Sequence, residues 1–316
     1  MAQHKTFRLY GCGGAGTNLV KAHQTSTDQI VGPSVAYLDT SLSNLGPDNR
    51  DRAYLIDGLD GGGMKRDLNA DAMRKHVSPA LTQYAPADFN VVVFSGAGGT
   101  GSVFGPLLLN ELVVREKPVV AAVIGDTDSA KAIENTLGTL KTLSRIAATH
   151  KTGVAVLYTE MAPGANRREV DEKIQEGIRA IGQLTSGLNA ELDTQDLIHW
   201  LHYERVTSHP PGLAILNIYN SNEKLSELHG ALSVASLYGS PDDPAGVVHT
   251  SYRVKGYTNL PGANPAHFVL TQDGLNAVVE GLERKLAEHK SHADTMSKQH
   301  VTLHSAIGED GDVLEF

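Results

Sequence analysis

Three stretches of the chain carry residues whose types and spacing could hold phosphate. Gly11-Cys12-Gly13-Gly14-Ala15-Gly16 follows a short apolar run and opens a helical pattern that includes Asn18. Glycine there lets the backbone turn tightly and approach an anion, while the helix N-terminus presents N–H groups and positive potential. The segment also satisfies G-x-G-x-x-G, and Asp39 falls at the end of the next apolar run, where a ribose-binding acid would stand. Taken alone, this is a dinucleotide signature. A second loop, Ser95-Gly96-Ala97-Gly98-Gly99-Thr100-Gly101-Ser102, follows Val91–Phe94 and precedes another helical pattern, adding the Thr100 and Ser102 hydroxyls. A dinucleotide has no obvious need of two such loops, whereas a nucleoside triphosphate has three phosphates to hold. G-x-x-x-x-G-K-[ST] occurs nowhere, so the P-loop NTPases are excluded and the donors must be N–H groups, hydroxyls and a bound cation.

The third stretch, residues 57–66, contains Gly61-Gly62-Gly63. It reads as a flap over the outermost phosphate, with Lys65 or Arg66 to neutralise it, or equally as a mobile surface loop with solvated charges. Cys12 reads as a small buried thiol. The fourteen histidines show no convincing metal-ligand spacing, and His199 and His202 lack partners for one. No metal ligand set is expected from the chain's own residues.

These loops need strands and helices to hold them. Apolar runs at Thr6–Tyr10, Val35–Leu38, Val91–Phe94, Val119–Ile124 and Val154–Tyr158 alternate with helical patterns at Asn18–His23, Asp71–Tyr84 and Ala130–His150. Such alternation predicts an α/β fold, a Rossmann-like parallel sheet covered on both faces. After the Pro163-Gly164 breaker, Val170, Ile174, Ile178 and Ile181 form one helical stripe in a long helix over Asn166–Leu184. Gly212–Tyr219, Thr250–Tyr257 and His267–Thr271 read as strands of a smaller α/β unit, with turns at Ser240-Pro241 and Pro261-Gly262. A long polar helix is expected from Gly274 to about Ser297.

Composition narrows the class. The net charge is −9, with no basic stripe of the kind a nucleic-acid reader shows. One cysteine excludes a disulfide framework and any multi-cysteine zinc or iron–sulfur site. No apolar run approaches the roughly 20 residues of a membrane helix, and MAQHKTFRLYGCGG is too short and glycine-rich for a signal-peptide core. With 41% hydrophobic and 20% charged residues, a cytoplasmic globular protein without membrane or direct nucleic-acid partners is expected. Glycine, at 32 residues, exceeds the usual ~7% share.

At Gly98-Gly99-Thr100-Gly101-Ser102 the sequence resembles the tubulin/FtsZ superfamily, whose signature is G-G-T-G-[ST]-G, and GCGGAGTN at 11–18 resembles that family's first nucleotide loop. Val103 stands where FtsZ and tubulin usually have glycine. That departure, the short C-terminal half and the acidic end are most similar to the phage-encoded tubulins of the PhuZ type. The resemblance implies a GTPase that binds GTP or GDP with Mg2+, polymerises head to tail into cytoskeletal filaments and hydrolyses GTP where subunits meet. For a phage tubulin it further implies positioning of phage DNA or the replication compartment in the host cytoplasm.

By the same resemblance, Asp171 is the candidate reader of the guanine edge, with Asn166 and Arg167 beside it. A carboxylate accepts from guanine N1–H and N2–H2 and would repel the acceptor N1 of adenine. The other reading of Asp171 is an early-turn acid favoured by the helix dipole. Asp193 and Asp196, in an acidic loop 22 residues beyond Asp171, resemble the catalytic loop that enters a neighbour's nucleotide site. Residues 125–129, with Asp126, correspond to the ribose segment, and Asp39 and Thr40 could reach phosphate or metal through water. The expected layout is a GTP-binding domain over 1–165, a central helix over 166–188, an activation domain over 189–270 with its catalytic loop at 189–196, and a C-terminal helix and acidic tail over 271–316. Glu309, Asp310, Asp312 and Glu315 flank Leu314 and Phe316 in that tail, which reads as solvated or, by resemblance, as docking on a neighbouring subunit. The alternative function is a Rossmann NAD-dependent oxidoreductase using Gly11–Gly16 and Asp39.

Overall fold

A computed structural model describes residues 6–25, 34–46, 49, 51–59, 61–64, 66–185, 189–258 and 265–307. Lys65, the Pro261-Gly262 turn and the acidic residues 309–316 lie outside the described residues. Among those described, eleven strands form one sheet in the order β3-β2-β1-β4-β5-β6-β8-β11-β9-β10-β7. Its first half is wholly parallel: β1 (Phe7–Cys12), β2 (Ser34–Asp39), β3 (Ala53–Leu55), β4 (Phe89–Ser95), β5 (Val119–Asp126) and β6 (Val154–Met161). The strands are apolar on both faces because both are covered, as expected for a parallel sheet.

The two faces sort by alternation along each strand. Leu9, Val91, Val93, Val120 and Ala122 enter one core with Leu19 and Val20 of α1 (Gly13–Thr25) and the stripe Val170, Ile174, Ile178 and Ile181 of α6 (Arg167–Thr185). Tyr10, Cys12, Val92, Phe94, Ala121 and Val123 enter the other, under α3 (Arg66–Gln83), α4 (Gly101–Val114) and α5 (Ala130–His150). Full burial of each such aliphatic side chain stabilises the fold by about 1.5–3 kcal/mol. The α/β Rossmann-like class read from the sequence is the class observed. The short α2 (Leu42–Leu45) follows β2.

The sheet does not stop where the composition changes. β6 pairs in parallel with β8 (Leu213–Tyr219) from Val154↔Leu213 to Val156↔Ile215. β11 (Ala266–Thr271) runs antiparallel to β8 and to β9 (Ala231–Tyr238), and β10 (Thr250–Thr258) lies parallel to β9. β9 was not anticipated because Ser233 and Ser236 interrupt its apolar pattern. Both are fully buried, bonded to the Trp200 carbonyl and to His267 Nδ1. A second departure is α7 (Thr194–Leu201), which begins inside the expected acidic loop and follows the two-residue β7 (Asn189–Ala190). Its Trp200 is buried and donates its indole N–H to Phe268 O at 3.1 Å, fixing α7 to the sheet. The five-residue α8 (Asn222–Ser226) follows β8.

The final helix α9 (Asp273–Ile307) is longer than expected. Its Leu282 packs on Ile133, Leu137 and Leu140 of α5, and Lys285 pairs with Glu160 and Lys290 with Glu134. No helix among the described residues is long and apolar enough to cross a membrane.

Three histidines, His23, His202 and His267, are buried, and burial holds each imidazole down at a pKa of about 4. Unfolded histidine titrates near 6.5, so between those values the unfolded chain binds more protons and stability falls as pH falls. The slope is about 1.4 kcal/mol per pH unit for each histidine. Urea midpoints are therefore expected to drop steeply from pH 6.5 to 4.5, less so in His202→Asn. That imidazole bonds Thr152 Oγ1 at 2.9 Å and faces Glu204 and Arg205. A flat profile in the unmodified chain would contradict neutral burial.

Candidate nucleotide site

β1 and β4 are in-register neighbours, Cys12 opposite Phe94, so the glycine turns that follow them leave the carboxyl ends of the strands side by side. The strand order reverses direction at β1, and ligands of open parallel sheets bind beyond the carboxyl ends of the strands at such a point. Gly11 and Cys12 end β1, Gly13 and Gly14 open α1, and Asn18 is exposed one turn further on. Gly13 has φ +70°, and a Cβ on it would fall 2.7 Å from Gly101 N. The reverse contact, a Cβ on Gly101 2.8 Å from Cys12 O, shows two loops packed backbone to backbone.

The third glycine run joins them. A Cβ on Gly62 would lie 2.4 Å from the carbonyl carbon of Gly99, and one on Gly99 equally close to that of Gly62. Gly61, Gly63 and Met64 all have positive φ, so this turn follows a path that side chains disfavour. Gly61–Met64 thus caps the 98–99 turn. Ser95 Oγ accepts from the N–H groups of Ala97 and Gly98, and Ser102 Oγ donates to Gly98 O, which shapes the 95–102 loop before α4 begins. The first-turn N–H groups of α1 and α4 have no intrahelical acceptor and converge here.

Two expectations change in detail. Asp39 is 1% exposed, and its carboxylate accepts from Thr40 N–H, Ser41 N–H and Asn44 Nδ2–H. It builds the β2–α2 turn, and burial raises its pKa despite these donors. What reaches the glycine loops is Thr40, whose hydroxyl lies 2.7 Å from that of Thr100. Arg66 directs its guanidinium to Ser102 O, Asn135 O and Thr142 Oγ1, so it braces the flap's base.

Asp126 ends β5 beside the expected ribose segment and accepts from Asp128 N–H at 2.8 Å. β6 ends alongside it, Asp126 opposite Met161, and α6 starts six residues later. At that start Asn166 Oδ1 accepts from Arg168 N–H, and Arg167 pairs with Asp171 at 3.6 Å. Asp171 is half-buried, and desolvation raises its pKa against the pull of Arg167.

α6 then carries the chain back towards the amino ends of the parallel strands. Nineteen residues span about 28 Å, and Gly182 packs on Phe7, the first residue of β1. Asp193 and Asp196 emerge there, remote from the glycine loops of the same chain. They form a capping box: Asp196 N–H donates to Asp193 Oδ1 at 2.8 Å, and Asp193 N–H to Asp196 Oδ2 at 3.2 Å. Each carboxylate uses one oxygen this way, and both lie behind Glu191, a non-glycine residue at φ +73°. An acid three residues after a capping residue, before an apolar run, is a helix-start signal that the sequence carried. Among the described residues, no three His, Cys, Asp or Glu side chains cluster as metal ligands.

Superposition on solved structures gives a tubulin-like fold. A model of the C-terminal domain of phage tubulin-like proteins matches residues 192–278. The phage tubulin-like protein of Pseudomonas phage PhiPA3 is 28% identical over 294 residues, covering 91% of each chain. The protofilament structure of TubZ from bacteriophage PhiKZ superposes with a TM-score of 0.83 at 25% identity, over 98% of this chain and 95% of that one. The phage tubulin PhuZ, solved with GDP, gives 0.84 at 23% identity over the same shares. The chain is thus similar to phage tubulin-like proteins over about nine-tenths of its length.

Proposed function

We propose that the chain is a GTPase that polymerises head to tail into filaments, with each nucleotide bound between two subunits. The observation that carries this reading is the separation of the two half-sites. The glycine loops lie beyond the carboxyl ends of the central strands β1 and β4, and α6 carries the chain towards their amino ends before the Asp193–Asp196 box, so one chain does not bring them together and two stacked copies can. The GDP in PhuZ and the protofilament of TubZ support guanine nucleotide and this mode of assembly.

In this reading the N–H groups of Gly11–Gly14 and Gly98–Gly101, with the Thr100 and Ser102 hydroxyls, hold the phosphates. Gly61–Gly63 cover the outermost one. Asn18, Asn166, Arg167 and Asp171 surround the base, Asp171 accepting from its N1–H and N2–H2, and Asp126 lies near the ribose. Asp193 and Asp196 of the next subunit orient the attacking water, since phosphoryl transfer depends mainly on positioning and charge stabilisation. Mg2+ fits this donor set. It needs only phosphate oxygens, water and one or two carboxylates, and it would neutralise charge developing on the transferred phosphate. The oxidoreductase alternative needs a ribose-binding carboxylate, and that of Asp39 already serves three donors.

We further propose that the domain limits given above hold, that the filament works in the host cytoplasm to position phage DNA or its replication compartment, and that the acidic tail docks on a neighbouring subunit. Light scattering with GTP, GDP and ATP, with phosphate release followed in parallel, tests the core of this reading. Assembly and phosphate release with GTP alone are expected, and a chain ending at Ile307 should need a higher critical concentration. Equal behaviour with all three nucleotides, or none with GTP, would refute the function, and unchanged assembly of the shortened chain would refute the tail's role.

A further inference from the structure

One buried side chain of α5 holds two of the glycine loops at once. Asn135, 3% exposed, donates its two amide N–H bonds to Met64 O at 3.0 Å and to Ala97 O at 2.9 Å. Met64 closes the flap and Ala97 lies in the loop beneath it, so both bonds form only while the two are closely apposed. Neighbouring bonds keep the bracket rigid. Thr139 Oγ1, one turn along α5, donates to Gly96 O at 2.8 Å, and Arg66 donates to the backbone carbonyl of Asn135 itself. The flap needs such a hold. Gly61, Gly63 and Met64 have φ of +76°, +49° and +57°, and the left-handed region disfavours a side chain such as that of Met64.

We propose that Asn135 is a positioning residue that latches residues 61–64 onto the 95–102 loop and thereby sets the preference for nucleoside triphosphate over diphosphate. The inference rests on the nucleotide reading above and adds a determinant to it. A diphosphate is held by the turns after β1 and β4 and lacks the group that the flap covers. A triphosphate places its outermost group under the flap, and its affinity depends on the flap being closed. Without the carboxamide, the strained turn relaxes away from Gly99, and only the triphosphate loses contacts.

The test measures GTPγS and GDP affinities by competition in the unmodified chain, Asn135→Ala, Asn135→Asp and Gly62→Ala. Asn135→Asp turns donors into acceptors facing two carbonyls. Gly62→Ala opens the flap independently, because its Cβ would collide with Gly99. The ratio of GTPγS to GDP affinity is expected to fall about tenfold in all three, as loss of one or two buried hydrogen bonds implies, with GDP affinity kept within about twofold in the two Asn135 variants. An unchanged ratio in Asn135→Ala and Gly62→Ala, with GDP still bound, would overturn the latch and leave the GTP reading standing. Equal losses for both nucleotides would show a general structural role and also overturn it. An unmodified chain that binds neither nucleotide would overturn the functional reading from which the latch follows.

Discussion

Replacing Asp196 with alanine is expected to leave GTP binding and filament growth intact while lowering phosphate release per filament by about a hundredfold, a usual cost of losing a catalytic carboxylate. The glycine loops of the variant are untouched, since they lie at the carboxyl ends of the strands and Asp196 follows the helix that runs back to the amino ends. The complication is structural: Asp196 Oδ2 also accepts the Asp193 N–H, so alanine removes half of the capping box. That loss should cost about 1 kcal/mol, read as a lower urea midpoint. Asp196→Asn separates the effects, because its amide oxygen can still accept that N–H while the negative charge is gone. Both variants should lose hydrolysis, and only the alanine variant should lose stability. Rapid hydrolysis by Asp196→Asn would remove the carboxylate from the mechanism.

The second large effect concerns folding. A Cβ on Gly16 would sit 2.1 Å from Val93 O, and a Cβ on Gly11 2.6 Å from Gly16 O. Helix α1 therefore rests on β4 through bare backbone, and neither partner can move without disturbing the central strands. Gly16→Ala is expected to destabilise the chain by about 3 kcal/mol or more, the upper end of overpacking costs, and to reduce soluble expression. Gly281→Ala is the control. No atom lies within 4 Å of its added methyl, and replacing a helical glycine there should stabilise by about 0.5–1 kcal/mol. Equal urea midpoints for the two variants would disprove the close packing of α1.

What could be read in advance depended on how local each signal was. Gly11–Gly16 and Gly98–Ser102 were legible because backbone contact excludes side chains, and the glycines therefore cluster in sequence. The α6 stripe was legible because one face of one helix meets one sheet. β9 was not: it buries Ser233 and Ser236, which are satisfied by Trp200 and His267, and alternation alone cannot show those partners. The box at Asp193 and Asp196 is visible as spacing but reads only as a catalytic loop, because a catalytic and a capping carboxylate have the same letters. Asn135 gave no signal at all. It is a mid-helix asparagine whose partners lie 71 and 38 positions away, a pairing that only the tertiary fold creates.

The length of α6 has a consequence of its own. In the proposed polymer it serves as a ruler, for it sets how far below one nucleotide pocket the chain delivers the acids meant for the next. A continuous helix is a stiff standard of length, graduated at about 1.5 Å and 100° per residue. Its gauge cannot be adjusted gradually, since adding or losing one residue turns the acids away as well as shifting them. Relatives that keep the same polymer spacing should tolerate almost any change of surface along α6, but not an insertion or deletion within it.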